Sequence, residues 1–503
     1  MKKTDEGCVR TIEEKTGRET ALWTIINFWQ LPDQIQWRRC LFFATLLLVA
    51  GISLMQNVLN LHYLEQEQPP VVQEAFWHGG VDTECYIANA GVLGTSTRFI
   101  KVFKERMALP ILFRLSGATK ENPSPYLRLA LWMHFFFPLV LAAASWTLFG
   151  NHWLALLCAV SYLFADKSGS LMVLTDYLHA FLFVVAMWTT WKYLKDASLS
   201  WMVASIVAWD CCMLARPTFL WVGLMLFPLT SWGKKTWKEW AAKSLGHTGL
   251  LLVVPALLAV HNYSVYGVAT PTFNALENIH TVLIPGIHTT IRKRTEVDTN
   301  SAQIWHEERD LKAWHEENYE KLELWNARVP DDRYEYRQAY QTVKATDKKV
   351  VISNLDVVWE LMVSECGRML MLSNEGTAWP MRIRCGFVMA ALCGVVVSWR
   401  RKENRTSVVA TMLFAGWILA SSGTFLWAEQ RFVKPVLLLM IPFAVSVLGG
   451  WRRIAGVIAG LCLYKGFNMI SYQPLLSLAV SMLAMIICEI IWTKWNHDGG
   501  MNI

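Results

Sequence analysis

Apolar runs of roughly 17–25 residues recur along this chain, and that length matches the hydrocarbon core of a bilayer. Backbone polar groups in lipid must be satisfied within the segment, so such runs form helices. We therefore predict an all-α, polytopic membrane helix bundle with about 12 transmembrane helices. The predicted spans are 41–61, 128–148, 151–165, 170–191, 200–215, 217–232, 247–264, 382–399, 407–427, 433–449, 454–471 and 474–493.

The composition agrees with a membrane protein. Hydrophobic residues make up 54% of the 503 residues and charged residues 17%, whereas soluble domains carry about 25% charged residues. The N-terminal thirty or so residues are polar and lack the short apolar core of a signal peptide. We expect residues 1–40 to form a cytoplasmic segment ahead of a first span that is retained as an anchor.

Positive charge predicts the orientation, because cytoplasmic loops of membrane proteins are enriched in Lys and Arg. Counted alternately from the first span, every basic cluster falls on the cytoplasmic side, so the net charge of +7 gives no reason to expect nucleic acid. The clusters are Arg38–Arg39, Lys192–Lys195, Lys234–Lys243, Arg400–Arg405, Arg452–Arg453 and Lys494.

The same count puts two hydrophilic loops on the opposite, external face. The chain then divides into the bundle 41–264 with its first external loop 62–127, the long external loop 265–380, and the C-terminal transmembrane helices 381–503. We expect an integral multi-pass protein of the bacterial inner (cell) membrane, with its functional site facing the periplasm.

The first external loop carries an acidic stretch around Asp82, which follows a glycine pair. A carboxylate at the mouth of a bundle can act on a substrate or can cap its own loop through backbone hydrogen bonds, and both interpretations stay open. Further along, 98–107 places apolar and basic residues on different sides of a helix, which indicates either an interfacial helix or a solvated connector.

Charged residues at the outer ends of several spans are a second candidate feature. Charges in or near spans are costly, so each is a functional candidate, and ordinary interfacial ion pairs are the alternative. All of them are predicted on the same face as Asp82. They are Asp166, Asp176, Asp210, Arg216, Glu429, Arg431 and Lys434.

The second external loop is less informative. Tyr336, Tyr340 and Val343 follow a helical pattern, and 350–352 is compatible with a short strand. Two Trp-His-Glu-Glu tetrapeptides at 305–308 and 314–317 lack the spacing of helical zinc sites. The sequence shows no metal-ligand set, no phosphate loop and no dinucleotide fingerprint. Cofactors are therefore unknown, and a divalent metal ion stays open.

Several short motifs, taken in order, resemble the GT-C superfamily of integral-membrane glycosyltransferases, in particular the protein mannosyltransferase and aminoarabinose transferase type. The resemblance covers roughly residues 40–450, and each motif alone is weak. The motifs are Asp82 with Tyr86, Arg106–Pro110, Leu174–Leu178, Leu214–Pro217, Asn262–Gly267 and Glu429–Pro435. Thr-Asp at 175–176 stands where the family usually has Thr-Glu, and Phe432 stands where it has Tyr.

The resemblance implies transfer of a hexose or pentose, with inversion, from a polyprenyl-phosphate-linked sugar to an acceptor hydroxyl on a glycan, lipid or protein. In that reaction Asp82 would be the general base and Asp166 would orient the acceptor or hold a metal. The cations Arg216, Arg431 and Lys434 would bind the leaving phosphate. Tyr86, Arg106 and Asp176 are the further substrate-binding residues that the motifs imply.

Two other functions are alternatives. A transporter or flippase of lipid-linked sugars predicts inverted repeats and charges at the bilayer midplane, whereas the charges here lie at the outer rim. A membrane oligosaccharide polymerase or ligase is harder to separate, because it has the same arrangement of loops. It would use an Arg/His pair in a long external loop instead of an aspartate after the first span.

Overall fold

A computed structural model describes residues 33–67, 108–119, 122–164, 175–216, 236–273, 278–295, 332–371, 381–424 and 430–449, together with 87, 90, 276 and 457–458. Within these ranges the protein is all-helical, with 14 helices and no strand. The helices are α1 Asp33–Glu67, α2 Ala108–Leu115, α3 Ser124–Phe149, α4 His152–Leu163, α5 Thr175–Asp196, α6 Leu199–Ala215, α7 Trp237–Leu251, α8 Val253–Tyr266, α9 Ile284–Thr295, α10 Arg333–Ser353, α11 Leu355–Met371, α12 Met381–Arg400, α13 Arg405–Thr424 and α14 Gln430–Ser446.

Two helices in the described ranges are long and apolar enough to cross a membrane by themselves. One is the part Arg39–Tyr63 of α1, and the other is the whole of α3. A third candidate is the pair Ser244–Leu251 and Val253–Tyr266, which is bent by 43°. The predicted all-helical class is confirmed for these ranges, and the predicted number of twelve spans is not. The predicted spans 217–232 and 474–493, and all of 454–471 except 457–458, lie outside the described residues.

The third predicted span is shorter than expected. Its helix, α4, has 12 residues and is about 18 Å long at 1.5 Å per residue, against a hydrocarbon thickness of about 30 Å. The turn before it is specified locally. Gly150 has φ +63° and ends α3, and the side chain of Asn151 accepts hydrogen bonds from the backbone N–H groups of Trp153 and Leu154. This cap fixes α3 and α4 as an antiparallel hairpin.

Helices α5 and α6 pack as a second antiparallel pair, held by hydroxyl groups at their interface. The indole N–H of Trp209 donates to Oγ1 of Thr190 at 3.1 Å, and that oxygen lies 2.8 Å from Oγ of Ser205. The rings of Phe183 and Trp209 meet edge to face at 5.9 Å. Small polar residues between apolar helices supply the hydrogen bonds that lipid cannot provide.

The largest core cluster joins both hairpins to α12, α13 and α14. Phe443 of α14 is fully buried and contacts the rings of Trp191 and Phe149, with centroids 5.9 Å and 6.3 Å away. Gly394 of α12 lies directly against the backbone of Phe443. The absence of a side chain at Gly394 therefore lets two helices approach backbone to backbone, as small residues do in membrane bundles.

The C-terminal carbonyl groups of α3 are capped by side chains from two distant parts of the chain. The ammonium of Lys195 donates to the carbonyl of Thr147, the amide of Asn404 donates to Leu148 at 2.6 Å, and the guanidinium of Arg401 donates to Phe149 at 3.3 Å. Cations are favourable at this end of a helix dipole. We call this end of the bundle, marked by Lys195, Arg401 and Asn404, the basic end.

The described residues between 253 and 371 form helices that pack on one another, where the sequence predicts an external loop from 265. Tyr336, Tyr340 and Val343 of α10 are buried against Tyr266 and Phe273, which confirms the predicted helical pattern. Residues 350–352 continue α10, so the predicted strand is wrong.

The end of this region returns to the bundle. Helix α11 packs along α13, with Sγ of Cys366 3.1 Å from the carbonyl oxygen of Leu419. The segment predicted as a loop therefore contributes a helix to the packing of a predicted span.

Candidate functional site

Two predicted site residues lie at the same end of the α5–α6 hairpin. Asp176 is the second residue of α5, and Arg216 is the C-cap of α6. Phe183 of α5 contacts Trp209 of the antiparallel helix α6. Asp176 lies seven residues before Phe183, and Arg216 lies seven residues after Trp209. The two positions are thus level along the helix axes, at the end opposite Lys195. We call this end, marked by Thr175, Arg216 and Gln430, the motif end.

Helix α14 brings the predicted cations to the motif end as well. Phe443, in the last turn of α14, contacts Phe149 and Trp191 at the basic end, and the helix packs along α5. Its first turns, which carry Arg431 and Lys434, therefore point to the motif end. The backbone positions of Asp176, Arg216, Arg431 and Lys434 are thus gathered at one end of the bundle.

Described parts of the predicted first external loop also pack at the motif end. Helix α2 contacts α3, α5 and α6, and its residues Leu109 and Phe113 are buried in a cluster with Leu61 of α1 and Leu127 of α3. Pro110 occupies the first turn of α2, where a missing N–H costs no hydrogen bond. The segment 98–107, predicted as an interfacial helix or a solvated connector, lies outside the described residues.

Ile87 belongs to the same cluster and is 6% exposed. It directly follows Tyr86 in the sequence and lies five positions after Asp82. Asp82, Tyr86, Arg106 and Asp166 themselves lie outside the described residues. Ile87, the described residue nearest to the acidic motif, is nevertheless buried with residues of α1, α2 and α3 at the motif end.

Among the predicted charged candidates, Asp210 and Arg216 have side chains that the structure describes. Arg216 stands at the end of α6. It is 8% exposed, and its backbone N–H donates to the carbonyl of Cys212 at 2.8 Å as α6 ends. A buried guanidinium carries a fixed charge and donors in a planar fork that fits phosphate oxygens. Its location at the end of an apolar helix suits it to neutralise an anion there.

A buried histidine cluster was missed by the sequence analysis. Nδ1 of His134 lies 3.0 Å from the hydroxyl oxygen of Tyr162 and 3.3 Å from that of Tyr177. All three side chains are at most 2% exposed. An ionisable residue within the predicted span 128–148 is the signal that could have found it.

A second missed pair lies in the region 253–371. Nδ1 of His280 is 3.2 Å from both carboxylate oxygens of Asp347, and both side chains are almost fully buried. His280 sits in a π-helical segment, Ile279–Leu283, that runs into α9; such segments are often found at functional sites. Nearby, burial raises the pKa of the Tyr340 phenol, and a side-chain hydrogen bond with Thr270 opposes that shift.

The described ranges contain no group of three or more His, Cys, Asp or Glu side chains that could hold a metal ion. The Trp-His-Glu-Glu tetrapeptides and Asp166 lie outside those ranges.

Comparison with known proteins gives no family. No protein-family model matches the sequence, and no curated protein matches it at a significant level. The resemblance to the GT-C superfamily therefore depends on the short motifs alone.

Proposed function

We propose that this protein is a membrane glycosyltransferase that moves a sugar from a polyprenyl-phosphate-linked donor to an acceptor hydroxyl at the motif end of the bundle. The observation that carries the proposal is the burial of Ile87, next to the Asp82–Tyr86 motif, in the cluster that packs α2 against the ends of α1 and α3. The positions of Asp176, Arg216, Arg431 and Lys434 at the same end support it.

The proposed reaction requires one proton transfer and the stabilisation of one developing negative charge. Asp82 takes the proton from the acceptor hydroxyl as its oxygen attacks the anomeric carbon, which contributes about 10²–10⁴-fold. The bond from that carbon to the phosphate oxygen breaks, and the polyprenyl phosphate leaves with the bonding electrons. Fixed cations at Arg216, Arg431 and Lys434 stabilise the developing negative charge in a site of low dielectric.

The remaining site residues have supporting roles in the proposal. Tyr86, Arg106 and Asp176 bind the sugar, and Asp166 orients the acceptor. The polyprenyl chain of the donor lies in the outer leaflet, so the phosphate reaches the motif end from the membrane. In the proposal, the region 253–371 supplies surface for the acceptor.

Sugar transfer can be tested directly with purified protein in lipid nanodiscs. Radiolabelled polyprenyl-phosphate sugars, each with one hexose or pentose, are incubated with protein and with an extract of cell-envelope acceptors. We expect label to pass from the lipid phosphate to a product that resists mild acid, and we expect Asp82→Asn protein to leave it on the lipid.

A transporter would give a different result. Protein reconstituted in liposomes would then move the intact labelled lipid between leaflets without breaking the sugar–phosphate bond. Translocation at the same rate in wild-type and Asp82→Asn protein, with no transfer to any acceptor, contradicts the glycosyltransferase proposal.

A further inference from the structure

The cluster of His134, Tyr162 and Tyr177 ties three helices together through one ring nitrogen. His134 lies in α3, Tyr162 in the last turn of α4, and Tyr177 in the first turn of α5. The rings are also in contact: His134 and Tyr177 have centroids 4.9 Å apart, and Phe137 stacks on Tyr162 at 4.8 Å. The arrangement is fully buried, so water does not compete for these hydrogen bonds.

The hydrogen-bond chemistry makes His134 the centre of the cluster. A ring nitrogen presents either one N–H or one lone pair in the plane of the ring, yet two tyrosine hydroxyls converge on Nδ1 at 3.0 Å and 3.3 Å. Loss of this nitrogen would therefore affect both hydroxyls at once. Buried hydroxyls that lose their partner carry the full desolvation penalty.

The cluster holds together the ends of α4 and α5 that lie at the motif end. The chain leaves α4 just after Tyr162 and starts α5 just before Tyr177, and Asp176 is the neighbour of Tyr177 in the first turn of α5. We propose that His134 is a positioning residue, which holds the first turn of α5, and with it Asp176, against α3 and α4. This inference rests on the proposed function for the role of Asp176, but the geometry that it describes does not.

The same helix offers a matched control. At the opposite end of α5 the hydroxyl of Tyr193 lies 3.0 Å from Nε2 of His247 in α7, and the two rings meet edge to face. Tyr193→Phe and Tyr177→Phe thus each remove one tyrosine–histidine hydrogen bond from α5. They differ in whether the bond lies at the motif end or at the basic end.

Hydrogen exchange tests the positioning without any activity assay. The amides of residues 179–182 are the first in α5 with carbonyl partners inside the helix, so they report opening of its first turn. In nanodisc-embedded protein, Tyr177→Phe should speed their exchange roughly fivefold, the change that one net hydrogen bond contributes. Tyr193→Phe should leave them at the wild-type rate.

Two substitutions of His134 separate the nitrogen from the ring. Asn places a polar atom two bonds from Cβ, as Nδ1 is, whereas Leu has a similar shape without it. Exchange at 179–182 should therefore stay closer to wild type in His134→Asn than in His134→Leu. Unchanged exchange in both Tyr177→Phe and His134→Leu would overturn the proposal.

The transfer assay then tests the consequence for Asp176. Tyr177→Phe should lower kcat about tenfold, because small misplacements of substrate-binding groups slow the reaction. The KM for the donor should stay within about twofold of wild type. Tyr193→Phe should keep the wild-type kcat. Faster exchange with an unchanged kcat would reduce His134 to a structural role and overturn the positioning. If wild-type protein transfers no sugar, the proposed function fails, and the exchange data alone decide whether His134 holds the turn.

Discussion

Gly394 of α12 lies so close to Phe443 of α14 that a Cβ on Gly394 would overlap the carbonyl oxygen of Phe443 and come within 2.8 Å of Oγ of Ser446. The obstructing atom belongs to the backbone, so it cannot swing aside as a long side chain does. This contact sets the separation of two helices in the largest core cluster.

Gly394→Ala should therefore separate α12 from α14 and destabilise the protein by about 3 kcal/mol, at the upper end of the usual cost of overpacking. Thermal unfolding in detergent, followed by loss of the monodisperse peak, measures the effect. Gly386→Ala is the control on the same helix, because nothing lies within 4 Å of its added Cβ. Equal unfolding temperatures for the two variants would show that the contact is not tight.

Replacing Asp347 tests the buried pair with His280. Asp347→Ala should cost about 2 kcal/mol, because it removes the buried carboxylate that lies against Nδ1 of His280. The neighbouring Lys348 is exposed, so Lys348→Ala is expected to have no measurable effect. Limited proteolysis should cut the 278–353 region sooner in the Asp347 variant than in wild type. Resistance identical to wild type would contradict a stabilising role for the pair.

The orientation of the bundle can be tested by cysteine labelling in intact cells. A membrane-impermeant maleimide should modify Thr119→Cys, which is exposed just after α2 at the motif end, and should spare Lys402→Cys at the basic end. The expectation follows from the enrichment of Lys and Arg on cytoplasmic faces. Labelling of the wild-type protein, which has its native cysteines, gives the background to be subtracted. The opposite labelling pattern would move the candidate site to the cytoplasmic side.

The basic end shows how far sequence reasoning reached. The Lys192–Lys195 and Arg400–Arg405 clusters were predicted on one face from charge alone, and the structure brings them together on the carbonyls of α3. The turn at Gly150–Asn151 is likewise readable, because φ > 0 and an Asn cap are local requirements.

Other features depend on partners that the sequence does not reveal. Val350 to Ile352 favour a strand by β-branching, but the buried face of α10, which includes Tyr340, keeps them helical. His134 is recognisable as an unusual residue in an apolar run, whereas its two tyrosine partners lie 28 and 43 positions away. The role of Gly394 depends on the backbone of another helix.

Asp82→Asn tests the proposed general base. The substitution keeps the shape of the side chain and removes its proton affinity, so turnover should fall by roughly 10²-fold or more with donor binding nearly intact. Glu84→Gln is the control, as it neutralises the neighbouring carboxylate. An Asp82→Asn enzyme with more than half of wild-type turnover is what a loop-capping role predicts, because Asn caps loops well.

Arg431→Ala tests the proposed phosphate contact. Removing one cation that stabilises the leaving phosphate should lower kcat/KM by about 10²-fold, and donor binding should weaken at low salt. Lys402→Ala removes a cation from the basic end and should not affect either measurement. Unchanged transfer and unchanged affinity for the lipid phosphate in Arg431→Ala would exclude this role.

The capping of α3 has a consequence for how the protein is made. Leu148 and Asn404 are 256 residues apart, so at roughly 5–20 residues per second the ribosome needs about 13–50 s to supply the cap after α3 has been synthesised. During that interval the last carbonyls of α3 have to be satisfied by water or lipid headgroups. The N-terminal hairpins are therefore synthesised as an incomplete assembly that the later helices close, and a nascent chain arrested before Arg401 would leave this helix end open.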